Sequence, residues 1–146
     1  KAEKLDPHDG QHFQLEGRIL AFKKDYKGAE KALRQALTLD KFNHPDYALD
    51  LAAALAADQK PVEALSVANA MLAQYPPAVV SNRGADDSLA PNLADLEALN
   101  GNIYLSEGRV NEAGAAADRA LALFPSGLRG RALKHQVQII LTPVPQ

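Results

Sequence analysis

The chain has 146 residues, a net charge of −2 and a pI near 6.1, which sets aside non-specific nucleic-acid binding, because that needs a basic surface to displace counterions. Cysteine is absent, so disulfides and thiolate sites are excluded. Alanine is abundant and aromatics make up only 5%. Alanine is the best helix former, while aromatic and β-branched residues favour strands, so an all-α protein with closely approaching helices is expected. No apolar run has the length needed to cross a bilayer. The first residues do not read as a signal peptide, and the compartment stays open between periplasm and cytosol.

In chain order, residues 1–9 (KAEKLDPHD) read as the tail of a preceding helix, with a polar disordered start as the alternative. On the first reading the chain begins inside a repeat. Three stretches then align without gaps, and their bounds are expected at 10–43, 45–78 and 94–125. Each carries a small residue in the middle of its first helix (Gly17, Ala52, Gly101). Each then has a larger apolar residue (Leu20, Leu55, Tyr104), an alanine (Ala29, Ala64, Ala113) and a second apolar residue (Ala36, Met71, Ala120) at matched places. Spacings of three, four and seven put these residues on one helical face. Small residues let helices approach closely, and the larger ones fill the space beside the contact. The breaks recur at Lys24-Asp25, Gln59-Lys60 and Gly108-Arg109. Pro61 suits a first helical turn, Pro76 and Pro125 close second helices, and turns this short force antiparallel hairpins.

Between the second and third stretches, residues 77–92 (PAVVSNRGADDSLAPN) are an insertion rich in turn formers. They are read as a loop, either a tolerated insertion or a partner contact anchored by Val79 and Val80. Asn92 is placed to cap the next helix, with Asp95 in its first turn. Residues 126–141 are read as a capping helix started by Ser126. Leu128, Ala132, Leu133, Val137, Ile140 and Leu141 lie near one face, and Arg129, Arg131 and Lys134 turn outward. A further repeat beginning there is the alternative, and residues 142–146 are a tail.

No residue set carries catalytic chemistry. His8, His12, His44 and His135 form neither an HExxH nor a Cys/His set, so no metal is expected. Asp86-Asp87 read as a solvated turn. No nucleophile elbow, P-loop or dinucleotide fingerprint is present, and no cofactor or enzymatic activity is expected.

The pattern resembles the tetratricopeptide repeat family, whose unit is a helix–turn–helix of about 34 residues. Gly101, Tyr104, Gly108, Ala113, Ala120 and Pro125 fall where the family pattern wants them. The departures are Lys41 in place of Pro, Glu16 in place of an apolar residue, and Ala48 and Glu97 at a place typically aromatic, filled by Phe13 in the first unit. The resemblance implies an α-solenoid of antiparallel hairpins whose first helices line a groove for a protein or peptide partner. Carried over place by place, the groove residues are Gln11, Gln14, Arg18, Ala21 and Phe22, then Asp46, Leu49, Ala53, Ala56 and Ala57, then Asp95, Ala98, Asn102, Leu105 and Ser106. Gln14, Arg18 and Asn102 are the expected hydrogen-bonding groups. The carboxylate clamp of chaperone-binding members is not expected. Its places hold Gln14, Arg18, Asp50, Asp95 and Leu99, of which only Arg18 is basic.

The implied function is protein–protein interaction or scaffolding within a larger bacterial assembly, secretion or polysaccharide-export protein. A regulatory array fused to a glycosyltransferase or peptidase is one alternative, and a small secretion chaperone another. Weak self-association through exposed repeat ends is also left open.

Overall fold

The computed structural model describes residues 9–40, 44–76 and 89–142. The preceding-helix reading of Lys1 to His8, Lys41, the loop residues 77–88 and the tail 143–146 lie outside the described residues. Among those described there are seven helices and no strand. They are α1 (Gly10–Phe22), α2 (Tyr26–Leu39), α3 (Pro45–Ala57), α4 (Pro61–Ala73), α5 (Leu89–Ser106), α6 (Val110–Leu123) and α7 (Leu128–Leu141). The architecture is all-α, built from helical hairpins α1–α2, α3–α4 and α5–α6. The chain divides into two compact units, with α1–α4 in residues 1–74 and α5–α7 in residues 75–146.

The three hairpins share one turn chemistry. At the end of each first helix one residue adopts a left-handed backbone: Lys24 (φ 64°), Gln59 (φ 63°) and Gly108 (φ 76°). The next N–H reaches back to the matched apolar residue, Asp25 to Leu20 O at 2.8 Å, Lys60 to Leu55 O at 2.9 Å and Arg109 to Tyr104 O at 2.8 Å. This closing bond satisfies a helix-end carbonyl that would otherwise lack a partner. The same three residues then start the second helices, accepting from Ala29, Ala64 and Ala113 N–H at 3.0 Å each. Asp25 adds a side-chain cap to the Gly28 N–H at 3.1 Å.

The repeated small residues sit inside. Ala52 is fully buried, as are Ala29, Ala64 and Ala113. A methyl group built on Gly17 would lie 2.5 Å from Leu33 Cγ, and one on Gly101 would lie 2.2 Å from Leu133 Cδ2. In the first unit the core is filled by Leu33, Leu37, Tyr47, Leu51, Leu55 and Met71. In the second, Ala98, Ala113 and Ala117 form a cluster with Leu133 and Val137 of α7.

Glu97 is the exception inside the second unit. It stands at the aromatic place, 7% exposed, and accepts from Arg119 Nε at 3.0 Å. Burial raises its carboxyl above the usual range, an effect opposed but not cancelled by Arg119. Tyr47 is likewise shifted upward, first by burial and then by its hydrogen bond to Asp40 and the nearby carboxylates of Asp46 and Asp9.

Three local expectations are corrected. First, α5 starts at Leu89, so residues 89–92 are helical rather than loop, and Asn92 lies within the helix instead of capping it. Pro91 falls in the first turn, where its missing N–H would have had no intrahelical partner. Second, α7 is preceded by Gly127 as its N-cap, not Ser126. The Gly127 N–H donates to Phe124 O at 3.0 Å, and the Phe124 ring closes on the glycine. Third, α7 buries only Gly130, Leu133 and Val137, while Leu128, Ile140 and Leu141, expected on the core side, are exposed.

Candidate functional site

In the first unit the groove-side positions of α1 and α3 meet. Gln14 is buried rather than open to a ligand. Its side-chain amide donates to Asp46 Oδ2 at 3.0 Å and to Asp50 Oδ2 at 2.9 Å. Both amide hydrogens are thereby used, which removes Gln14 as a donor to a peptide. Arg18 Nε donates to the same Asp50 oxygen at 2.7 Å, leaving the rest of its half-exposed side chain on the surface. Beside this bridge lies a shallow hollow of about 200 Å³, lined by Arg18, Ala21, Tyr26, Leu33, Asp50 and Ala53 among others. The network neutralises the one cation at the clamp places and holds two carboxylates beside it. A bound carboxylate would meet repulsion there.

Of the residues expected in that groove, Gln11, Gln14, Phe22, Asp46, Leu49, Ala56 and Ala57 do not line the hollow. Gln11 is exposed on the first turn of α1, its N–H capped by Asp9 Oδ1 at 3.0 Å. Phe22 is 89% exposed. Asp46 and Leu49 are half-buried on α3, with Asp46 tied to Gln14.

In the second unit the expected residues do come together. Asn102, Leu105 and Ser106 of α5 line one wall of a groove of about 460 Å³, and Gln136, Ile139 and Ile140 of α7 line the other. Ile139 and Ile140 are 60% and 56% exposed. The Ser106 hydroxyl donates to Ile103 O at 2.6 Å, so it faces the groove as an acceptor. Asp95 pairs with Arg129 of α7 at 3.9 Å. Ala98, carried over as a groove residue, is instead fully buried in the core cluster.

Sequence reasoning missed Gln136, Ile139, Ile140 and Arg129, although a signal was present. They stand one family period of about 34 residues beyond Asn102, Leu105, Ser106 and Asp95. By the same step Arg131, Lys134 and His135 occupy the places of buried Glu97, Asn100 and Gly101. Arg131 and His135 are exposed, and Lys134 pairs with Asp118. Where α5 needs glycine for its neighbour, α7 puts a histidine in water.

Among the described residues no group of side chains could hold a metal ion, and no helix is long and apolar enough to cross a membrane.

The family model for the tetratricopeptide repeat matches residues 13–43. No curated protein sequence matches the chain. Among solved structures, the chain is similar to the TPR domain of Arabidopsis OM64, with a TM-score of 0.71 at 16% identity, over 90% of this chain and 96% of that one. It is similar to the first TPR domain of human RPAP3, with a TM-score of 0.71 at 18% identity, over 93% and 94%. It is also similar to the first TPR of Spaghetti (RPAP3), solved with the HSP90 peptide SRMEEVD, with a TM-score of 0.70 at 16% identity, over 96% and 98%. At these identities the likeness speaks for the fold alone. A match to the tetratricopeptide-repeat model on residues 13–43, one turn chemistry repeated in three hairpins and a fold shared over nine-tenths of the chain show an all-α helical-repeat fold of the tetratricopeptide type.

Proposed function

We propose that the chain is a non-catalytic docking module that holds a segment of a partner protein on the faces of its first helices. The observation that carries this is the groove of the second unit. There, expected contact residues Asn102, Leu105 and Ser106 line a concave surface together with two exposed isoleucines. Exposed aliphatics gathered in a concave site, rather than scattered singly, mark binding surfaces. A neighbour of the same fold is solved with a bound peptide, which supports a peptide as the kind of partner. The wider setting we propose is a bacterial assembly, secretion or polysaccharide-export protein, by analogy with similar alanine-rich arrays.

The test is chemical-shift mapping with partner-derived or library peptides. Amide signals of Asn102, Leu105 and Ser106 should move on binding. Shifts confined to α2, α4 and α6 would overturn the proposal.

A further inference from the structure

The groove between α5 and α7 has a chemical character that narrows its occupant. Its apolar lining is Leu105, Ile139 and Ile140, and its polar groups are two side-chain amides, Asn102 and Gln136, and the Ser106 hydroxyl. None of these six residues carries a charge. Several cations of this unit are held in ion pairs, while Arg131 and His135 of α7 are exposed. Arg129 pairs with Asp95 at 3.9 Å, Arg109 with Glu107 and Glu112, and Lys134 with Asp118. An amide side chain offers both a donor and an acceptor, which matches the alternating N–H and C=O of a peptide backbone. A carboxylate brought against these six residues would lose water and gain no cation from them.

We propose that this groove takes an uncharged apolar segment of a partner protein, seated by two aliphatic or aromatic side chains on Leu105, Ile139 and Ile140. Asn102 and Gln136 hold its backbone, and acidic chain ends are rejected. The assignment rests on the docking function proposed above. It gives this chain the opposite preference to the acidic peptide bound by its structural neighbour. The two isoleucines suit the role, because β-branched side chains have few rotamers to lose on contact.

The experiment is a fluorescence-anisotropy array of end-blocked peptides of about ten residues. The neutral set carries leucine or phenylalanine at two positions three or four apart. A matched set has glutamine there, and SRMEEVD with a free carboxylate is the acidic probe. Neutral apolar members should bind about tenfold or more tighter than their glutamine versions. Their affinity should change less than about twofold between about 50 and 500 mM salt, because no screened charge attraction is involved. The double variant Ile139→Gln, Ile140→Gln should lose about tenfold of that binding with its thermal midpoint unchanged, since both side chains already face water.

A salt-sensitive preference for the acidic probe would overturn the inference and leave peptide docking standing. So would neutral-peptide binding that ignores the double variant, because the footprint would then lie elsewhere. Light scattering that shows a dimer abolished by the double variant would also overturn it, by making a second copy the occupant. If no peptide of any class binds at millimolar concentration, the docking function falls and this inference falls with it.

Discussion

Lys24 and Gln59 hold left-handed backbone angles at the place where the third hairpin has Gly108. A side chain in that conformation costs about 1–2 kcal/mol, while glycine adds back about 0.5–1 kcal/mol of chain entropy. Lys24→Gly and Gln59→Gly should therefore each stabilise by up to about 1 kcal/mol, read from the midpoint of urea unfolding. Gly17 obeys the opposite constraint. Its missing methyl group would meet Leu33 at Cγ, near the root of that side chain, so the leucine cannot simply swing its tip away. Gly17→Ala should cost about 1–3 kcal/mol by overpacking.

Glu97 gives a pH signature. Its pKa is raised in the folded state above 4.5, so the folded chain binds its proton more readily than the unfolded one. The associated stability is present at low pH and is lost as pH rises from about 4.5 through the raised value. Glu97→Gln should abolish that component, and thermal melts between about pH 4 and pH 7 would show the two proteins diverging as pH rises. Parallel curves would mean that burial of this carboxyl carries no cost.

At the scale of the element, a contact of large on small helps to seat α7 on α5. Leu133 is 1% exposed and fills the space left by Gly101. Leu133→Ala should cost about 2–5 kcal/mol. In that background Gly101→Ala should cost less than in the parent chain, because the 2.2 Å clash with Leu133 Cδ2 is gone and only the tight 3.3 Å approach to Ala116 Cβ remains. A double-mutant cycle should therefore show coupling between about 0.5 and 3 kcal/mol. The hairpins themselves were legible from residue order, since a short turn and a buried glycine or alanine leave few alternatives. The start of α5 was not. Pro91 and Asn92 signal a break in a local window, yet a first helical turn accommodates proline, and the apolar residues after it have somewhere to pack.

At the scale of the whole chain, each compact unit has buried leucines of its own, Leu33 and Leu51 in the first and Leu93 and Leu133 in the second. Stability in repeat arrays is close to a sum over units and neighbouring interfaces. Hydrogen exchange should accordingly quicken first in α1–α4 for Gly17→Ala and first in α5–α7 for Leu133→Ala. A uniform response across all seven helices would show a single cooperative body.

The sequence by itself determined the helical class, the hairpin turns and the buried places of Gly17, Ala52 and Gly101. Those follow from short-range rules, namely helical periodicity, the allowed backbone at a turn, and the need for a small side chain where two helices approach. It also argues against a carboxylate clamp, since Arg18 is the one basic residue at the clamp places. Tertiary structure alone decided which polar groups remain available. Gln14 looks like a free amide until α3 brings Asp46 and Asp50 to it. Leu49 and Ala98 hold the same place in their units, yet one is half-buried and the other fully buried. Whether a side chain meets water depends on what another part of the chain places against it, and no local window contains that information.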